Sequence, residues 1–109
     1  MDKFMNLTLS IRQITHDGRD ARRFRAYISN PNPGRPDGST GITATSTGNP
    51  EHGALRCAAK AFIFLNPELF LKKLLPTLSN RKKDQVIREV EAQINLVSIG
   101  EGMWEAKLK

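Results

Sequence analysis

The strongest constraint on this chain is an alternation of period two near its start. Over residues 4–15, Met5, Leu7, Leu9 and Ile11 fall on one parity, while Asn6, Thr8, Ser10 and Arg12 fall on the other. An extended chain turns successive side chains to opposite faces, so this pattern predicts a strand with one buried side and one wet side. Residues 16–20 then read HDGRD, and an Asp-Gly pair is a turn signal that joins hairpins. Residues 21–29 alternate again, with Phe24, Ala26 and Ile28 directed inward and Arg23, Arg25 and Tyr27 outward. The two segments predict an antiparallel hairpin whose apolar side needs a second layer to cover it.

The rest of the chain supplies that layer. Residues 30–38 read NPNPGRPDG, where three prolines and two glycines predict an irregular loop. Residues 40–47, rich in Thr with Ile42 and Ala44 on one parity, fit a third strand. Asn49 followed by Pro50 is a helix start, because the carboxamide caps free amides and proline needs no donor in the first turn. A helix over residues 50–65 places Leu55, Ala58, Ala59 and Phe62 on one face. Asn66 and Pro67 repeat the signature and predict a short helix through Leu69, Phe70, Leu71, Leu74 and Leu75, ended by Pro76. A third helix, capped by Ser79 or Asn80, carries a stripe of Val86, Ile87, Val90 and Ile94. Beyond it, residues 95–99 and 104–108 read as a second hairpin around a Gly-Glu-Gly turn, with a helix continuing to Ile99 and a loose tail as the alternative. The expected fold is one α+β domain of 109 residues. An antiparallel sheet of three to five strands carries two or three helices on one face.

Composition removes several kinds of protein. The lone cysteine, Cys57, forbids an internal disulfide and points to a reducing compartment, the cytoplasm. Two histidines and one cysteine do not close a structural zinc site. The apolar stretch over residues 61–75 is interrupted by Asn66, Pro67, Glu68, Lys72 and Lys73, so it reads as core and not as a membrane span. Cys57 on an Ala-rich helix reads as a packing residue, and His16 and His52 stand apart from it. No paired carboxylates or nucleophile with a base emerge, and the expectation is a non-enzyme with no cofactor and no metal.

Charge is the positive signal. Lys and Arg number 17 against 11 Asp and Glu, a formal net charge of +6, which concentrates polyanions at the surface. Arg12, Arg23, Arg25 and Tyr27 share the outward side of the first hairpin. Guanidinium groups hold phosphates bidentately and an aromatic ring stacks on a base. A half-buried sheet also needs polar residues on its wet side, which the same four satisfy. Arg81, Lys82 and Lys83 open the third helix, where the backbone already carries partial positive charge, so the cluster invites an anion or is relaxed by Asp84 and salt.

From residue 22 to residue 62, the order of strand, loop, strand and Ala-rich helix is similar to the second half of a double-stranded RNA-binding domain. The likeness is closest at Thr47 and Gly48 leading into GALRCAAKAF at 53–62. The resemblance implies RNA as a partner. In that family, lysines at the helix start grip phosphates. Here the matching positions are Asn49, Pro50, Glu51 and His52, and a strand replaces the family's leading helix. The expected function is a nucleic-acid-binding accessory protein holding backbone phosphates through Arg12, Arg23, Arg25, Arg81, Lys82 and Lys83, with Tyr27 stacking, RNA and DNA both open and no membrane partner. The alternative is a protein-interaction or inhibitor module, possible as a homodimer, that docks through Phe70, Leu71 and Leu74 or through the strand of Trp104.

Overall fold

The structure is a computed structural model that describes residues 7–16, 21–29, 38–65 and 80–109. Its elements run β1 (Thr8–His16), β2 (Ala21–Ser29), β3 (Gly38–Thr47), α1 (Pro50–Leu65), α2 (Asn80–Glu91), β4 (Ile94–Gly100) and β5 (Met103–Leu108). The strands form one antiparallel sheet in the order β3-β2-β1-β5-β4, which makes β1 the central strand. The α+β class is as the sequence predicts. The second helix expected near residues 67–75 lies outside the described residues, as do the Asp17-Gly18 turn and residues 30–37.

Register explains which side is buried. Leu9 pairs with Ile28 and Ala106, and Ile11 pairs with Ala26 and Trp104, so one parity of each strand builds a single apolar face. On that face Leu9, Ile11, Phe24, Ala26, Ala44, Trp104 and Ala106 are buried, and α1 covers them with Ala54, Cys57, Ala58, Ala61 and Phe62. Phe24 and Trp104 meet edge to face across β1, with ring centroids 5.8 Å apart, which ties the first hairpin to the last.

Helix α1 starts where its cap dictates. Asn49 Oδ1 accepts from the Glu51 amide at 2.9 Å, and the Asn49 carbonyl accepts from the amides of His52 and Gly53. Helix α2 lies against α1, adds Val86 and Val90 to the core, and is joined to α1 by an Arg56–Asp84 ion pair at 2.8 Å. It stops at Glu91, short of the stripe's last member. Ile94 is buried, yet as the first residue of β4. A four-residue step from Val90 suits a helix and equally suits a strand that begins directly over the helix end, so spacing alone does not separate them. The chain turns through Ala92 and Gln93, and β4 and β5 form the C-terminal hairpin rather than a helix extension. Gly102, at φ 70°, makes that hairpin's turn, and its carbonyl accepts from the Gln13 amide of β1 at 2.9 Å.

Strand β3 is kinked by a bulge. Between the Arg25–Thr43 and Tyr27–Ser39 pairs the register shifts, with Gly41 at φ 77°. The Thr40 hydroxyl fills the gap, donating to the Ala26 carbonyl at 2.8 Å and accepting from the Ile42 amide at 3.0 Å.

Gly53 sets how closely α1 sits. A Cβ there would lie 2.3 Å from Phe24 Cε2 and 2.7 Å from Ser46 Cβ, so helix and sheet touch with no space for a methyl group. Alanine gains about 1 kcal/mol over glycine in a helix, but overpacking a filled core costs about 1–3 kcal/mol, and here the clash wins. Gly53→Ala is therefore expected to lower the melting temperature in a thermal unfolding scan. An unchanged or raised midpoint shows instead that the seat is loose.

Candidate nucleic-acid interface

The face of the sheet turned away from α1 is built by the other parity. Arg12 of β1 stands directly opposite Arg25 of β2 and, on its other side, opposite Met103 of β5. The next row runs from Tyr27 through Ser10 to Glu105 and Val97, and the one beyond it from Ser29 through Thr8 to Lys107 and Asn95. On the far side Arg23 pairs with Thr15 and Thr45, and Arg25 pairs with Thr43. One face thus collects Arg12, Arg23, Arg25 and Lys107, hydroxyls from Thr43 and Thr45, and the sole tyrosine. The five strands carry a single carboxylate, Glu105.

Like charge is gathered on this face, with Arg12 and Arg25 at directly opposed cross-strand positions. The Arg12 guanidinium lies 5.6 Å from the centroid of the Tyr27 ring, a cation–π contact between the cross-strand partner of Ser10 and the residue two positions after it. Ser10 is only 7% exposed although it belongs to the outer parity, because these long neighbours close over it. Arg25 Nε is shut off from solvent and has no hydrogen-bond partner, and a shielded donor left unsatisfied carries a free-energy cost.

The remaining cations lie elsewhere. Arg22, next to Arg23 in sequence, has the inward parity and donates from its guanidinium to the Gly48 carbonyl at 3.2 Å. Arg81, Lys82 and Lys83 occupy the first turn of α2, in the helix layer that covers the apolar face. The backbone of that turn belongs to the layer on the other side of the sheet from the row of Arg12, Arg23, Arg25 and Tyr27. Asp84, which follows Lys83, is engaged by Arg56, whose hydrogen bond and charge hold its carboxyl below the usual range, with Arg88 adding to the effect. Lys60 Nζ donates to the Thr43 carbonyl at 3.0 Å. Both cations on the stretch of α1 that resembles the RNA-binding family thus have partners within the protein, Arg56 in an ion pair at the surface.

Two further expectations meet the geometry here. Trp104 is buried against Phe24 and β5 lies between β1 and β4, so that strand presents neither its indole nor a free edge. Phe70, Leu71 and Leu74 lie outside the described residues. Lys107, Glu105, Thr43 and Thr45 join the outer face without having been singled out in the sequence. Their parity was readable, but their placement beside β1 and β2 depends on strand order. Among the described residues, no three metal-binding side chains come together and no helix is long and apolar enough to cross a membrane.

Cys57 is fully buried, and its thiol contacts the Ile42 carbonyl at 3.8 Å. Burial pushes its pKa up from 9.0 to about 12, slightly opposed by the charge of Lys60. Comparison of the chain with protein-family models, with curated proteins and with solved structures found no match.

The thiol supplies a direct check of this packing. A neutral, enclosed sulfur is a poor nucleophile, so the native protein is expected to resist iodoacetamide at mildly alkaline pH and to react once unfolded in denaturant. Because the folded pKa is raised, this group's contribution to stability is intact below pH 9 and is lost as pH rises from there towards about 12. Rapid alkylation of the folded protein shows Cys57 to be accessible and the core to be open.

Proposed function

We propose that this protein binds nucleic acid without acting on it chemically, holding backbone phosphates on the outer face of its sheet in the reducing interior of the cell. The observation that carries this reading is the Arg12–Arg25 pair. Two arginines occupy directly opposed cross-strand positions, one with an enclosed and unsatisfied Nε, on a face where the described strands place four cations and one carboxylate. A phosphate on this face gains charge-assisted hydrogen bonds from planar donors and offsets the like charge gathered there. Thr43 and Thr45 place hydroxyls beside Arg25 and Arg23, the groups that commonly complete phosphate contacts. The cluster at the start of α2 adds to the long-range field from the opposite side of the sheet, so it belongs to a separate footprint.

Binding of this kind is electrostatic and salt-sensitive. In an anisotropy titration with labelled oligonucleotides, affinity is expected to fall linearly with salt on logarithmic axes. Replacing Arg23 and Arg25 with Glu is expected to weaken binding at low salt at least roughly tenfold and to reduce the slope by about two. Binding that ignores salt or that survives the double substitution removes the proposal.

A second reading rests on a different observation. Among the described residues strand β4 is an edge of the sheet; it carries no charged residue from Ile94 to Gly100 and leaves Val97 51% and Ile99 49% exposed. Native edges usually carry a guarding charge or proline, and this one suits antiparallel pairing with β4 of a second copy, which would continue the sheet across a two-fold axis. Sedimentation or light scattering is expected to report a dimer that Val97→Lys converts to a monomer. A wild-type monomer at high concentration dismisses it.

A further inference from the structure

We infer that the nucleic acid taken by the outer face is an unpaired strand, with its bases over the Tyr27 row and its phosphates over the arginine row. This rests on the reading of that face as a phosphate-binding surface and specifies what form of nucleic acid it accepts.

The shape of the surface decides against a duplex. A two-stranded ribbon fits the major groove, which is about 12 Å wide. The basic hairpin β1–β2, however, is flanked by β3 on one side and β5 on the other, in a sheet roughly 20 Å across at the usual strand spacing. It cannot enter a groove and would meet a duplex only along one ridge of backbone. The helical route to a duplex that the family resemblance implies also lacks that family's lysine cluster on α1. Arg56 is paired with Asp84, Lys60 with the Thr43 carbonyl, and the start of α1 presents Glu51 and His52 in place of a lysine cluster.

The chemistry of the surface favours exposed bases. Arg12 and Tyr27 meet in a cation–π contact on the face of the sheet turned away from α1, and both guanidinium planes and aromatic rings are surfaces on which unpaired bases lie. Bases inside a duplex are already stacked on each other and cannot use it. Glu105 gives the face a direction. It flanks Ser10 in the same row as Tyr27, where a carboxylate repels phosphate but accepts hydrogen bonds from the amino groups of bases. One row over, Arg12 and Arg25 attract the phosphates, and Thr43 adds its hydroxyl beside them.

The test compares one labelled oligonucleotide of about ten nucleotides, a length suited to a single sheet platform, alone and annealed to its complement, in RNA and DNA versions. At low salt the unpaired form is expected to bind at least roughly tenfold tighter than the duplex. Tyr27→Ala, checked for folding by circular dichroism, is expected to lose roughly five- to hundredfold of the affinity for the unpaired form and none for the duplex, while Tyr27→Phe keeps both. Equal or tighter binding of the duplex by the wild-type protein overturns the inference and leaves the phosphate-binding face standing, and this comparison needs no variant. A folded Tyr27→Ala protein that binds the unpaired strand as before also overturns it. Failure of both forms to bind removes the proposed function itself.

Discussion

The seat of α1 on the sheet is the contact from which the rest of the structure follows. Gly53, Ala54, Ala58 and Ala61 are all buried, so the helix backbone comes close to the strands and rests on the Phe24 ring. That ring in turn reaches over the central strand to Trp104. Burying a side chain as large as Phe24 contributes about 1.5–3 kcal/mol, and an aromatic pair adds about 0.5–1.5 kcal/mol beyond area. Once this layer is in place, every strand residue of the opposite parity is turned away from the core. The arginines are on the outer face because their neighbours in sequence are needed inside.

Much of this was legible in the sequence, and the limits have a physical cause. Alternation, caps and prolines act over a few residues, so β2 and α1 run over the residues that local signals mark, 21–29 and 50–65. The end of α2 was not readable, because Ile94 continues a helical stripe and also begins a strand, and only the packed structure separates the two. Parity put Arg12, Arg23, Arg25 and Tyr27 on one side of the hairpin. It could not put Arg12 directly opposite Arg25, since that register depends on a bulge at residues 13–15 of β1. Nor could it bring Lys107 and Glu105 to the same face, which requires β5 to insert beside β1 at the other end of the chain. The position of the α2 cluster on the far side of the sheet is likewise a tertiary property. Local charge density looked the same for both clusters.

Arg22 and Arg23 show how finely position governs role. Adjacent and chemically identical, they point to opposite faces: one ties β2 to the turn before α1, and the other stands in an open row of cations. The outer face itself departs from what stability alone favours. Opposed arginine positions and a shielded, unpaired Nε on Arg25 are features that packing and hydrogen bonding alone do not favour.

The sheet order also has a consequence in time. The middle strand, β1, is bordered on one side by its immediate successor and on the other by β5, almost the whole length of the chain away. As the chain is synthesised, β1, β2, β3 and α1 emerge early and can associate through near neighbours, whereas β1 keeps one unpaired margin until the final hairpin arrives. Among the described pairings this one closes the largest loop, so it is expected to come late in folding, and the interval before it leaves a strand edge open to pairing with the wrong partner.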